Sequence, residues 1–220
     1  MNTVIVIAAR NEALNIGPLV SKCKKYGKVI VAEGGSIDWT AELAISHGAR
    51  VLTGLHCLRD AYLEGFRAAL ELGPTYIVQM DAGFSHSPDD IPTLLDGLKD
   101  AHMVIGSRFV PGGKMVNQPF RREMLSWCGS WLVRQLTGMP YRDLTSGFKA
   151  YRPPVIQAVL DQARDNPFRA RMYDFQFEFT HRVHKMSYRI KEAPITYTGS
   201  PSRVNWRFIR AALKTAWRLR

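Results

Sequence analysis

The amino-acid sequence predicts an α/β fold with a mostly parallel central sheet flanked by helices. In the first half of the chain, short apolar runs rich in valine and isoleucine alternate with segments of helical period. The runs lack polar–apolar alternation, which is typical of strands covered on both faces, as in a parallel sheet. Short connections that contain glycine or proline join these segments, so a repeated β–α order is the favoured architecture.

Five strands and four helices are predicted before residue 106. Gly27, Gly48 and Gly73 follow the first three helices, as glycine often does at helix ends. Pro92 falls in the first turn of the fourth helix, where proline is tolerated. The strands are expected at residues 4–9, 28–32, 50–52, 76–80 and 102–105, and the helices at 13–25, 40–47, 59–72 and about 89–99.

The regular β–α order breaks after Gly106. An edge strand that carries Pro194 is predicted at residues 188–198. No internal repeat, low-complexity tract or long linker divides the 220 residues, which fit one large domain. The remaining predictions are helices at residues 120–136, 155–163 and 174–185 and a turn-rich segment at 138–150.

The C-terminal quarter of the chain is strongly basic. Residues 164–220 hold 13 basic and 4 acidic side chains, against 17 and 15 in residues 1–163, within a net charge of +11. This asymmetry predicts an anionic partner, which is a membrane surface, a phosphorylated substrate or nucleic acid. Nucleic acid is disfavoured because no recognised nucleic-acid-binding module is present.

Residues 206–220 predict an amphipathic helix with an apolar stripe beside a basic one. This pattern is typical of a helix in a membrane interface, and equally of a helix packed on the core. The absence of acidic residues after Glu192 favours an anionic membrane surface. The apolar stripe is Trp206, Ile209, Leu213, Ala216 and Trp217, and the basic stripe is Arg207, Arg210, Lys214 and Arg218.

Cysteine usage and hydropathy favour a soluble or peripheral protein in a reducing compartment. The three cysteines are scattered, which argues against a disulfide framework or a zinc site. No run approaches the roughly 18–20 apolar residues that a membrane span needs, and the start of the sequence does not resemble a signal peptide. Cytoplasmic localisation, peripheral at the inner face of the membrane, is the expectation.

Asp81 is the first candidate functional residue. It ends the apolar run of residues 76–80, and mostly small, polar and turn-forming residues follow it. Ligands in open α/β sheets bind beyond the carboxyl ends of the strands, which is where Asp81 is expected. A cap on the following turn is the alternative role.

Six segments, in this order along the chain, carry a family resemblance: Asn11-Glu12, Gly35-Ser36-Ile37-Asp38-Trp39-Thr40, Met80-Asp81-Ala82, Ile105-Gly106-Ser107-Arg108-Phe109, residues 143–152 (DLTSGFKAYR) and Ala193-Pro194-Ile195-Thr196-Tyr197. They resemble the inverting family 2 glycosyltransferases with a GT-A, Rossmann-like fold, and specifically the dolichol-phosphate mannose synthase-like, polyprenyl-phosphate branch. The resemblance implies a glycosyltransferase domain at residues 1–205, with a nucleotide-sugar half at about 1–106 and an acceptor half at about 107–205. Residues 206–220 would form the basic C-terminal helix.

Such enzymes move a sugar from a nucleotide diphosphate sugar to a polyprenyl phosphate at the cytoplasmic membrane face. The acceptor phosphate is already an anion, so the protein mainly neutralises charge and aligns the reactants. The family also implies a divalent cation, Mg²⁺ or Mn²⁺, that offsets the leaving diphosphate. A glycan or cell-surface precursor as acceptor remains an alternative, as does a catalytically impaired nucleotide-sugar-binding protein.

The resemblance assigns roles position by position. Glu12 would lie toward the base and ribose of the nucleotide, and Asp81 and Ser85 toward the metal. The catalytic set is Asp81, Arg108, Arg122 and Ser126. The nucleotide-sugar set is Ala8, Arg10, Asn11, Glu12, Glu33, Gly35, Ser36, Asp38, Arg59, Asp81, Ala82 and Gly83, and the acceptor set is Arg108, Arg122, Ser126, Ser146, Gly147, Ser202 and Arg203.

Gly83 is the main departure from the family pattern, because it stands where the second aspartate of the Asp-x-Asp metal motif is expected. Mg²⁺ and Mn²⁺ favour hard oxygen ligands, and glycine offers at most a backbone carbonyl. Asp81, phosphates, water and Ser85 are one solution for holding the metal. Basic side chains such as Arg10 and Arg59, which would offset part of the negative charge of the diphosphate, are another.

Overall fold

The computed structural model describes residues 2–199 and 206–220, and the side chains of the last helix from residue 209 onward. The first half contains β1 (Thr3–Ala9), α1 (Ala13–Cys23), β2 (Lys28–Glu33), α2 (Thr40–Ser46), β3 (Arg50–Leu52), α3 (Leu58–Leu70), β4 (Tyr76–Asp81), α4 (Ile91–Gly97) and β5 (Met103–Ser107). The second half contains β6 (Lys114–Val116), α5 (Phe120–Thr137), β7 (Lys149–Tyr151), α6 (Pro153–Asp165), α7 (Phe175–Lys185), β8 (Ile190–Pro194), β9 (Thr196–Thr198) and α8 (Trp206–Arg218).

A seven-stranded sheet forms the centre of the described chain, in the order β3-β2-β1-β4-β7-β5-β8. β7 runs antiparallel to both of its neighbours, β4 and β5, and the other pairings of this sheet are parallel. The predicted mostly parallel sheet flanked by helices is therefore confirmed. β6 and β9 pair separately as a short parallel ribbon.

The second half differs from the prediction in its strands. β6 and β7 were not expected, and the single strand predicted at residues 188–198 is wrong because the structure divides it in two. β8 forms the edge of the main sheet and ends at Pro194, which has no N–H to continue the ladder. The chain then leaves the main sheet as β9 and pairs with β6.

β1 shows why the core has two layers. All of its residues are at most 9% exposed, although alternate side chains point to opposite faces of the sheet. Val4 and Val6 pack into the layer that contains residues of α3, α6 and α7. Ile5 and Ile7 pack into the opposite layer, with residues of α1 and α4. The continuous apolar run therefore corresponds to a strand buried on both sides.

α8 is helical, as predicted, and it packs on α5 and α7 through Ala216, Val133 and Phe177. Its other face leaves Trp217 67% exposed. Along α5, a further set of large apolar side chains is about half exposed or more: Phe120, Met124, Trp127 and Trp131. Within the described ranges, no helix has both the length and the apolar character that crossing a bilayer requires.

Candidate active site

A cavity of about 340 Å³ opens where β1 and β4 end, at the carboxyl edge of the sheet. In an open α/β sheet this is the crevice where ligands bind. The cavity lining includes half of the predicted nucleotide-sugar set together with the predicted metal residue Ser85. The members of the set that line it are Ala8, Arg10, Glu12, Asp81, Ala82 and Gly83.

Asp81 is the last residue of β4, and its carboxylate is held by a tyrosine below it. Tyr62 Oη, from α3, donates a hydrogen bond of 2.6 Å to Asp81 Oδ1. Burial, and next the negative charge of Asp81, raises the pKa of the Tyr62 hydroxyl well above its usual value, so this hydroxyl remains a donor. The cap at the start of the following helical turn is Ser87, whose Oγ accepts from Asp89 N. Asp81 is therefore a cavity carboxylate that caps no helix.

Gly147 lies directly against the Asp81 carboxylate. A Cβ at residue 147 would overlap Asp81 Oδ2 and crowd the rest of the carboxyl group. The antiparallel strand β7 begins two residues later and brings residue 147 opposite the end of β4. The glycine thus leaves the space in which the carboxylate sits.

Gly147→Ala is expected to displace the Asp81 carboxylate, because the added Cβ has no other space. A misplacement of about 1 Å at a reacting centre costs roughly 100-fold in rate, so we expect a fall in kcat of that order. Steady-state transfer kinetics measure it. Gly129→Ala is the matched control because open space surrounds that Cβ position, and a fall of equal size in both variants would contradict the account.

The loops after β1 and β2 hold each other in place. Ser36 Oγ accepts a hydrogen bond from Asn11 N (2.9 Å), and Asn11 Oδ1 accepts one from Ile37 N (3.0 Å). Asp38 Oδ2 accepts from Ala13 N, at the start of α1. The hydrogen bond from Thr40 lowers the pKa of Asp38, so this carboxylate stays ionised. Asn11 and Ser36 therefore join the two loops, and Asp38 contacts the first residue of α1.

Glu33, Gly35 and Arg59 also contribute to the frame of the cavity. Ser36 N donates to Glu33 Oε1, and Gly35 adopts a positive φ of 77°, which closes the turn between them. Arg59 is directed away from the cavity: Nη1 donates to Phe168 O (3.2 Å) and Nε to Asp60 Oδ1 (2.8 Å). Of the two arginines that were candidates to offset diphosphate charge, Arg10 alone lines the cavity.

Arg108, which is predicted to bind the acceptor, forms an ion pair with a buried carboxylate. Arg108 Nε and Nη2 donate to the two oxygens of Asp143, each at 2.7 Å, and Nη2 also donates to Thr145 Oγ1 (2.9 Å). The Asp143 side chain is fully buried and that of Arg108 is 8% exposed. The guanidinium also lies 5.0 Å from the centre of the Tyr197 ring, which lines the cavity.

Arg122 and Ser126 lie one turn apart on α5, and Ser130 continues the same row. Ser130 Oγ is 3.1 Å from Thr145 Oγ1, which in turn contacts Arg108. The structure therefore brings Ser130, at one end of this row, to the Arg108 group.

Ser146 is buried beside the same group, where its Oγ accepts from Phe148 N (3.2 Å) and shapes the turn before β7. Ser202 and Arg203, the remaining predicted acceptor residues, lie outside the described residues.

Several important residues were missed from the sequence. Tyr62 and Asp143 hold Asp81 and Arg108, and Met172, Tyr173 and Tyr197 line the cavity. Asp143 and Tyr197 fall inside the recognised motifs. The signal that could have indicated Asp143 was a motif arginine, Arg108, that needs an acidic partner. Nothing in the spacing of Met172 and Tyr173 pointed to the cavity.

The oxygen atoms around Asp81 decide whether this site fits a divalent cation. In the described part of the chain, no group of three or more His, Cys, Asp or Glu side chains is arranged to hold a metal. Mg²⁺ in sites for phosphorylated substrates is nevertheless usually held by one or two carboxylates plus substrate phosphates. The Asp81 carboxylate and the Ser85 hydroxyl at one cavity wall fit that kind of site.

The chain is similar in sequence to known proteins. The sequence profile of glycosyl transferase family 2 matches residues 4–177, so the chain belongs to this family. It is 40% identical over 208 residues to an undecaprenyl-phosphate mannosyltransferase of Micrococcus luteus, covering 90% of this chain and 84% of that protein. It is 35% identical to a polyprenol monophosphomannose synthase of Mycolicibacterium smegmatis, covering 89% of this chain and 77% of that protein. The resemblance to the polyprenyl-phosphate branch is confirmed, and the chain is a glycosyltransferase by family.

A solved structure supports the fold. The glucosyl-3-phosphoglycerate synthase of Mycobacterium tuberculosis, in complex with Mn²⁺, uridine diphosphate and glucosyl-3-phosphoglycerate, superposes with a TM-score of 0.72. The match covers 97% of this chain and 78% of that chain at 17% identity, which is a likeness of fold alone. The expected GT-A fold is confirmed.

Proposed function

We propose that this protein transfers a mannosyl group, with inversion, from a nucleotide diphosphate sugar to a polyprenyl phosphate of the dolichyl or undecaprenyl type. The observation that carries the proposal is the Asp81 carboxylate, held at a strand-end cavity in a chain 40% identical to an undecaprenyl-phosphate mannosyltransferase. Mannose is supported by the names of both relatives.

Residues 1–106 form the nucleotide-sugar half in this proposal, and residues 107–205 the acceptor half. Arg10, Glu12 and Asp81 face the donor from the first half. In this proposal Arg108, beside the cavity, and the α5 row that contains Arg122 and Ser126 bind the acceptor phosphate. Tyr197 supports this division because it lines the cavity and also contacts the guanidinium of Arg108.

The reaction forms a bond between an acceptor phosphate oxygen and the anomeric carbon, and it breaks the bond between that carbon and the donor diphosphate. The nucleophile is already an anion, so no strong protein base is required. The protein's part is to align the two phosphates and to offset their charge with Arg10, Arg108 and Arg122. A divalent cation, when bound near Asp81 and Ser85, supplies further positive charge for the leaving diphosphate.

The C-terminal helix and α5 rest on an anionic membrane surface in this proposal, at the cytoplasmic face. Exposed Trp217 on α8 and half-exposed Trp127 and Trp131 on α5 give an aromatic surface. Exposed Arg210 and Lys214 on α8 add positive charge beside it. Amphipathic helices of this composition bind headgroup regions through apolar burial and attraction to anionic lipid. The three free cysteines support a reducing compartment.

Trp217→Ala is expected to weaken binding to vesicles that contain anionic phosphatidylglycerol, because it removes exposed aromatic area from α8. Flotation with these vesicles and with neutral phosphatidylcholine vesicles measures the effect. Trp39→Ala, at a tryptophan that is 71% exposed and directly precedes α2, is the matched control. Equal binding of the Trp217 variant and wild type would contradict membrane contact through α8.

A panel of nucleotide diphosphates, with and without Mn²⁺, tests the donor half by thermal unfolding. A ligand that binds only the folded state raises Tm by mass action. We expect one base to stabilise the protein above the others, and Asp81→Asn to reduce the increment that Mn²⁺ adds.

The acceptor half is tested by incubation of wild type with labelled nucleotide sugars and either a short polyprenyl phosphate or a soluble glycan. Product on the glycan alone would favour the alternative acceptor class.

A further inference from the structure

Gly83 has no side chain to place in the cavity wall, and the carboxylate of Glu12 lies beside the position that such a side chain would take. Its backbone φ is not in the positive region, so this position does not require glycine. The nearest atom to a Cβ built at residue 83 is Glu12 Oε1, at 3.5 Å, an ordinary contact distance. An aspartate at this position would therefore extend its carboxylate toward the place that Glu12 already fills.

Hydrogen bonds hold Glu12 in its position beside Gly83. Its backbone N–H donates to Thr40 Oγ1 (2.8 Å), and its Oε2 accepts from Asn15 Nδ2 (2.8 Å). Among the described residues Oε1 accepts no hydrogen bond, and it is the oxygen closest to Gly83. The side chain is thus fixed through one oxygen and presents the other to the cavity.

Glu12 and Asp81 face one space. Both line the cavity, as does Gly83. Tyr173 lines the same cavity.

Ser85 is a second sign of a ligand at this place. The residue is 5% exposed and lines the cavity, and its hydroxyl makes no hydrogen bond to any described residue. A polar group of a cavity lining that has no partner among these residues can bind a ligand, an ion or water. The carboxylates of Glu12 and Asp81 and the hydroxyl of Ser85 therefore belong to residues that line one cavity.

We propose that Glu12 supplies the second metal-binding carboxylate that Gly83 cannot, so that Glu12, Asp81 and Ser85 together hold a divalent cation. Phosphate oxygens of the donor and water complete such a site, as is usual for Mg²⁺ at phosphate-binding sites. The inference rests on the proposed function for the source of those phosphates. It gives Glu12 the cation as its partner, in place of the base and ribose that the family resemblance implies.

The test uses inorganic pyrophosphate, which has phosphates but neither base nor ribose. Calorimetry measures its affinity for the full-length protein with Mn²⁺ and with EDTA, and the ratio of the two affinities is the increment that the metal adds. Glu12→Gln is expected to reduce this increment by about tenfold or more, since groups that hold a metal are worth at least that much in affinity. Glu42→Gln, the same change at an exposed carboxylate on α2, is expected to leave it unchanged.

A second variant pair tests whether the carboxylate itself matters. Glu12→Gln combined with Gly83→Asp is expected to regain most of the lost increment, because the new aspartate restores a carboxylate at the same place. Glu12→Gln combined with Gly83→Ala is expected to regain none. An unchanged increment in Glu12→Gln, or failure of Gly83→Asp to restore it, overturns the inference.

The outcomes separate this inference from the proposed function. Transfer that continues in EDTA, with no metal increment in wild type, overturns the metal site and leaves the transferase standing. An intact pattern of Mn²⁺ increments, with no transfer to any polyprenyl phosphate, overturns the proposed function alone.

Discussion

Asp81→Asn is expected to reduce sugar transfer by roughly 10²–10³-fold, the usual effect of removing one charge-stabilising group from an active site. The substitution removes the negative charge at the end of β4 but keeps an oxygen that accepts from Tyr62 Oη. The buried tyrosine therefore retains its partner, and the fold should be unaffected. Steady-state kinetics at saturating donor and acceptor measure the loss.

Tyr62→Phe is the companion to this variant. It removes the 2.6 Å hydrogen bond but leaves the carboxylate in the cavity. We expect a smaller fall in transfer than for Asp81→Asn, because the charge remains and only its orientation is loosened. If Asp81→Asn retained half or more of wild-type turnover, the carboxylate would not be the centre of the donor site.

Asp143→Ala is expected to lower the free energy of unfolding by about 3–5 kcal/mol, because it leaves the Arg108 charge buried without its partner. Urea denaturation measures the change. Asp96→Ala is the matched control, since Asp96 pairs with Lys99 on the surface, with side chains 70% and 67% exposed. An exposed pair of this kind is worth about 0–1 kcal/mol, so the control should stay close to wild type. Equal losses in the two variants would contradict the importance of the buried pair.

The same ion pair predicts a pH dependence. Burial works to raise the pKa of Asp143, but the Arg108 charge and hydrogen bonds outweigh it, so the folded-state pKa lies below 3.8. A carboxyl whose pKa is lowered by folding stabilises the protein above its unfolded pKa, and this stabilisation is lost as the pH falls through the folded value. The difference in stability between wild type and Asp143→Ala should therefore persist at neutral pH and shrink in acid below about pH 4.

Much of the fold was predictable because the strands and helices of the first half follow from patterns of neighbouring residues in the sequence. β1, β2 and β4 are apolar runs whose positions follow from sequence, and the parallel order follows from the helices between them. β7 was missed because it is three residues long and its two partners, β4 and β5, are distant in sequence. Short antiparallel strands inserted between parallel ones are stabilised by such nonlocal pairing, which local propensity does not reveal.

Site residues at strand ends were predictable from the sequence. Site residues that act through a hydrogen bond to another side chain were not. Asp81 was placed correctly at the cavity from its position after an apolar run. Arg59 was a candidate for the same place, but its guanidinium bonds to Phe168 O instead. Tyr62 sits in the middle of a helix pattern, so its hydrogen bond to Asp81 depends on how α3 crosses the sheet. Sequence spacing carries no information about that crossing.

Formation of a lipid-linked sugar tests the proposed transfer to a polyprenyl phosphate. Wild-type protein is incubated with a labelled nucleotide diphosphate mannose, a short polyprenyl phosphate and Mn²⁺ or Mg²⁺, and label is counted after extraction into organic solvent. We expect a polyprenyl phosphate sugar to form with wild type and to be reduced roughly 10²–10³-fold with Asp81→Asn. Absence of lipid-linked product from every common nucleotide sugar, with either metal, would contradict it.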